Sequence, residues 1–150
     1  MSMDPAGAFV LPQSVRWSAR SWLIAVAAGA LEAVIHALTS EGYNAAVELR
    51  VRAVVYVLVM VVVVQLLRGR AWARIALTVM LGGLGLFSLL AEPLSWLMSG
   101  GSPGAFVAAA DVPTVVVGVI RAVHVVAVIV GLVLMYRPAA NSYFRSGALT

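Results

Sequence analysis

Six ionisable residues stand within or beside otherwise apolar stretches, and any chemistry of this chain has to start from them. Glu32 and His36 are spaced i,i+4, which puts both on one face of a helix. Arg121 and His124 form a second set three residues apart, and Arg52 and Glu92 sit near the ends of two further apolar runs. A carboxylate, an imidazole and a guanidinium in a dry setting can hold an ion, pass a proton or bind a small polar ligand. They can also satisfy one another and fix how helices pack. A charged side chain at the centre of a bilayer costs about 2.5–3.5 kcal/mol on insertion scales, so these positions require one reason or the other. The structural reading makes Glu32 and Arg121 a buried ion pair that sets helix register, with Glu48 and Arg52, at i,i+4, satisfying each other at the water boundary. The functional reading makes Glu32, His36, Arg52, Glu92, Arg121 and His124 an intramembrane polar site open to the outside.

Other chemistries lack their parts. The chain has no cysteine, which removes disulfides, thiolate metal sites and cysteine nucleophiles together. Its two histidines, even joined by Glu32, fall short of a metal set, so neither metal nor cofactor is expected. No arrangement of serine, histidine and acid suits nucleophilic catalysis, and an enzyme is not expected. Gly82-Gly83-Leu84-Gly85 lies in the middle of an apolar run with no strand before it, so it reads as a helix-packing surface and not a phosphate loop. Gly118-x-x-x-Ala122 and Ala127-x-x-x-Gly131 are small-residue contact patterns that suit approach within a chain or between chains.

The elements that must position the six residues follow from composition. Of 150 residues, 63% are hydrophobic and 11% are charged. A soluble domain of this size has too much surface to cover with so few polar groups, and lipid is the alternative solvent. With about 20 residues needed per helical span, the chain has room for four and little else. The expected architecture is all-α: one membrane domain forming a four-helix bundle, with spans near 22–38, 50–67, 75–98 and 113–136. Residues 1–13 and 138–150 read as loose tails, Ser14 as a helix cap, and Ser40 to Asn44 as a turn. Pro93 predicts a kink that frees the Leu89 carbonyl beside Glu92. On helical wheels Glu32 and His36 share a side with Ala25 and Gly29. Glu92 shares one with Gly85, Ser88 and Ser95, and Arg121 with Thr114, Val117 and Val128. The valines of the second span suit lipid.

All ten basic residues are arginine, and their placement sets an orientation. With the amino terminus inside, Arg16, Arg20, Arg68, Arg70, Arg74, Arg137 and Arg145 are cytoplasmic, while Arg50 and Arg52 are at the outer side. Seven against two predicts both termini inside, with Trp22, Trp72 and Tyr136 at the inner interface and Tyr43 and Trp96 at the outer one. Arg68, Arg70 and Arg74 are expected at lipid headgroups. Because the arginines mark span ends and form no stripe, nucleic acid is not an expected partner. At about 1.5 Å per residue, Glu32 and Arg121 both fall roughly 12 Å below the outer face of a core about 30 Å thick, on helices of opposite direction. An alternative treats residues 1–30 as a signal peptide cleaved after Ala28-Gly29-Ala30, which leaves three spans in the same orientation.

Three stretches carry a resemblance: Arg70-Ala71-Trp72-Ala73-Arg74, Leu90-Ala91-Glu92-Pro93-Leu94-Ser95-Trp96, and Arg137-Pro138-Ala139-Ala140-Asn141-Ser142-Tyr143-Phe144-Arg145. They resemble small four-span membrane proteins of actinobacterial type, whose likeness implies location and architecture but no activity. Leu31-Glu32-Ala33-Val34-Ile35 followed by Ser40-Glu41-Gly42-Tyr43 resembles the first span of small multidrug resistance transporters. That likeness implies a proton-coupling role for Glu32 alone, and the later spans depart from it. The sequence therefore leads to two expectations for a multi-pass protein of the bacterial inner (plasma) membrane. One is a non-enzymatic interaction or accessory protein that contacts itself or a larger membrane partner. The other is a small transporter, or a ligand or proton sensor, built on the six residues.

Overall fold

The computed structural model describes residues 11–39 and 43–147, and among them it contains helix and no strand. Helix α1 spans Gln13–Thr39 and α2 Tyr43–Leu67. Helix α3 (Ala71–Leu77), a π-helical segment (Thr78–Gly85) and α4 (Leu86–Met98) follow one another without a break. Helix α5 covers Pro103–Ala109, α6 Val112–Met135 and α7 Pro138–Gly147. Gln13–Thr39, Leu49–Leu67, Ala71–Ala91 and Val112–Met135 are each long and apolar enough to cross a membrane. Valine is a mediocre helix former in water, but in lipid the backbone must bond internally, and a helix is how a single segment does so.

Helix ends follow local chemistry. Helix α2 stops where Gly69 takes φ +78°, with Arg70 N–H donating to the Gln65 carbonyl and Gly69 N–H to Leu66. Gly100 ends α4 in the same way, at φ +91°, with Gly101 N–H donating to Trp96 and Gly100 N–H to Leu97. Asp111 caps α6 by accepting from Thr114 N–H at 3.1 Å, and its bonding to Thr114 holds its carboxyl below the usual range. Ser14 is not the cap the sequence predicted. Helix α1 begins one residue earlier, the Pro12 carbonyl takes the first N–H groups, and the buried Ser14 Oγ has no hydrogen-bond partner. The turn expected from Ser40 to Asn44 has Ser40, Glu41 and Gly42 outside the described residues, as is the expected tail through residue 10. Residues 138–147, expected as loose tail, are helical.

Packing is tight at one end and opens at the other. Helix α1 is the centre, lying mainly against α6 and also against α2. Ser18 Oγ donates to the Gly131 carbonyl at 2.9 Å, and a Cβ at Gly131 would meet the Trp22 ring at 3.0 Å, so α1 and α6 approach closely there. Trp22, Leu66, Leu77, Met135 and Phe144 are fully buried around this contact. Helix α7 closes that end. Arg74 donates to Asn141 Oδ1 at 2.6 Å and lies over the Tyr136 and Phe144 rings, at 4.6 and 4.8 Å. Tyr143 donates to the Leu67 carbonyl at 2.9 Å, and burial pushes its phenol up from the ordinary tyrosine range.

Away from this end the second and third spans separate. Helix α2 packs along α3, but its backbone hardly approaches the π-helical segment or α4, which lean on α6 instead. Gly82 seats Leu132 of α6, with a Cβ position only 3.0 Å from its Cδ1, as a packing surface requires. Helix α4 continues through Pro93, and the glycine-containing stretch before it is π-helical.

Candidate intramembrane polar site

The gap between α2 and the third span is a cavity of about 560 Å³. Its polar residues come from four elements: Glu32 of α1, Arg52 and Tyr56 of α2, Ser88 of α4, and Arg121 and His124 of α6. Met80, Leu81, Leu84 and Leu89 supply the apolar wall on the third span, and Val51 and Val55 face them from α2.

Arg121 Nε donates to Glu32 Oε1 at 2.6 Å, a charge-assisted contact between residues of matched depth. Glu32 is buried, whereas the Arg121 side chain is 36% exposed. This is a paired carboxylate, with its desolvation offset by a partner. His124 differs. It is only 6% exposed, and neither Nδ1 nor Nε2 has a hydrogen-bond partner. A neutral imidazole carries one donor and one acceptor, so two bonding capacities are unused where water is scarce. The other buried polar atoms without a partner among the described residues belong to Ser14, Trp22, Gln65 and Arg74, none of which lines this cavity.

Gly29 makes room for this arrangement. A Cβ there would lie 2.9 Å from His124 Cε1, 3.1 Å from Nδ1 and 2.9 Å from Tyr56 Oη. The missing side chain lets the imidazole and the phenol converge on one point of α1 from opposite helices. Arg52 stands one turn before Tyr56 on α2, close enough for the two side chains to interact.

The six residues predicted from sequence therefore divide. Glu32, Arg52, Arg121 and His124 line one cavity. His36 is exposed on α1 and does not line it. Glu92 lies in α4, but its side chain, like that of Glu48, is outside the described residues, so the expected Glu48–Arg52 contact is outside them as well. Sequence reasoning missed Tyr56, although a lone tyrosine one turn after Arg52 in a run of valines was a usable signal. Of the three arginines expected at headgroups, Arg68 and Arg70 are exposed and Arg74 is turned onto α7. The described residues contain no group of three His, Asp or Glu side chains able to hold a metal.

No family model, curated protein or solved structure matches this chain. The class is thus set by fold alone: among the described residues, a helical protein with four helices able to span a membrane and a cavity between them that is lined in part by polar side chains.

Proposed function

We propose that this is a polytopic four-helix bundle of the bacterial inner membrane, both termini cytoplasmic, whose polar cavity in the outer half of the membrane binds a small ligand. The arginine bias supports the orientation, because the end holding Arg68, Arg70 and Arg74 is opposite the cavity. The observation that carries the ligand reading is the buried His124 with both ring nitrogens unpartnered beside an open volume. Such a group costs stability, by about 1–3 kcal/mol, and a site serving packing alone has no use for it. A purely interacting accessory role accounts for the Glu32–Arg121 pair but leaves the imidazole and the cavity without a purpose.

The test is the stability of His124→Leu. Removing an unsatisfied polar group from a binding site leaves the purified protein as stable as the parent or more so, while Glu32→Gln destabilises it. Both are read as unfolding midpoints in mild detergent. If His124→Leu proves as damaging as Glu32→Gln, the imidazole is a packing element and the ligand reading falls.

A further inference from the structure

The shape and lining of the cavity carry that reading one step further, to the class of ligand. We propose that the site takes a membrane-soluble amphiphile with an uncharged carbonyl- or hydroxyl-bearing head, which enters sideways between the second and third spans.

The entry follows from the packing. Helices α2 and α3 meet at one end, and beyond Leu77 the two spans part, so the cavity is the slot between them. Its rims are Val51 and Val55 on α2 and Leu84 on the third span, all exposed where a bilayer would contact them. Hydrocarbon can pass such rims without loss, whereas a hydrated ion crossing them would have to shed water against valine and leucine. The polar residues stand deeper, on α1 and α6. A ligand that follows this gradient is polar at its leading end and apolar behind. A volume of about 560 Å³ suits a ring-sized head and its first few carbons, with the rest of a tail lying between α2 and α4 in lipid.

The head is uncharged because the unpartnered group it meets is an imidazole, with one donor and one acceptor to satisfy. Glu32 and Arg121 neutralise each other at 2.6 Å, and Arg52 stands on α2, a turn before Tyr56 and with an interaction of its own. The bonding capacity left unused belongs to His124, a group that accepts from a hydroxyl at one nitrogen and donates to a carbonyl or hydroxyl at the other. A carboxylate or ammonium head would have to break the existing pair or be buried beside it at the cost of its own hydration.

The experiment uses the full chain in lipid nanodiscs with ring-¹⁵N histidine. The chain has two histidines, so a His36→Gln background leaves the His124 signals alone. Four probes with tails of similar length are titrated: a decyl-substituted benzoquinone, 1-dodecanol, dodecanoate and dodecyltrimethylammonium. The expected result is a saturable shift of the His124 ring nitrogens with the quinone or the alcohol, at about tenfold higher affinity than with either charged probe. Which of the two binds tighter separates a carbonyl-headed from a hydroxyl-headed ligand. Val55→Trp, or Leu84→Trp if the first unfolds, fills the slot and weakens that binding about tenfold at an unchanged melting temperature. Preference for dodecanoate or the ammonium overturns the uncharged head, and undiminished binding in both tryptophan variants overturns sideways entry. A ring that shifts with none of the four overturns the whole proposal, while the site reading beneath it is judged separately, by the stability of His124→Leu.

Discussion

Glu32 and His124 are buried within one cavity under opposite terms. The carboxylate has an arginine 2.6 Å away, and the imidazole has no partner. The pairing makes a sharp expectation. Glu32→Gln removes the carboxylate that Arg121 contacts and costs about 2 kcal/mol, less than the ~3–5 kcal/mol of a fully buried pair because the Arg121 side chain is 36% exposed. Glu32→Gln combined with Arg121→Gln recovers most of that loss, and a double-mutant cycle on unfolding free energies reads a coupling above about 1 kcal/mol. Additive single losses would mean that the contact has no energetic weight. Matching depths made this pair legible in the sequence, because a helix converts residue number into height. His36 shows where that logic stops. An i,i+4 step rotates by about 40°, and the next turn of α1 lies beyond the cavity, so sharing a face with Glu32 was not enough.

Among the elements, the end of α2 was the most readable. Arg68-Gly69-Arg70 announces a stop, and the structure supplies the reason in the positive φ of Gly69 and its two closing hydrogen bonds. Gly69→Ala is expected to destabilise by about 1–2 kcal/mol through the left-handed backbone alone. Its Cβ also comes within 3.3 Å of the Tyr143 hydroxyl, which bonds the last carbonyl of α2, so the loosening extends to α7. Thermal unfolding measures the first effect, and faster amide exchange across Pro138–Gly147 the second. A Gly69→Ala protein with parental melting and exchange would refute this account of the α2 terminus. Two features were not readable. The π-helical segment, within which Gly82 seats Leu132 fifty residues on, had no signal in local composition beyond the availability of close packing. The last ten helical residues looked loose because their anchors, Arg74 and Leu67, are far away in sequence.

For the whole molecule the decisive question is which way the tight end faces. The absence of native cysteine makes this simple to measure by single-cysteine labelling in intact cells. Arg70→Cys is expected to react with an impermeant thiol reagent only after permeabilisation, and Gly104→Cys before it, since a side chain at Gly104 meets little but the Ser102 hydroxyl. Labelling in the reverse order would turn the cavity to the cytoplasm. The design is that of a wedge. Small residues and aromatics lock α1, α6 and α7 at one end, and the divergence of α2 from the third span leaves space at the other.

The sequence by itself pointed to lipid as the solvent, marked the four helices able to cross it, and matched the heights at which an acid and an arginine meet. Each of these depends only on hydropathy, length and a fixed rise per residue. Tertiary structure alone decided that the spans diverge, that Gly29 lets His124 and Tyr56 converge, and that the imidazole is buried without a partner. Those facts depend on helix rotation and separation, which arise from contacts between residues distant in the chain and so leave no local trace in its pattern.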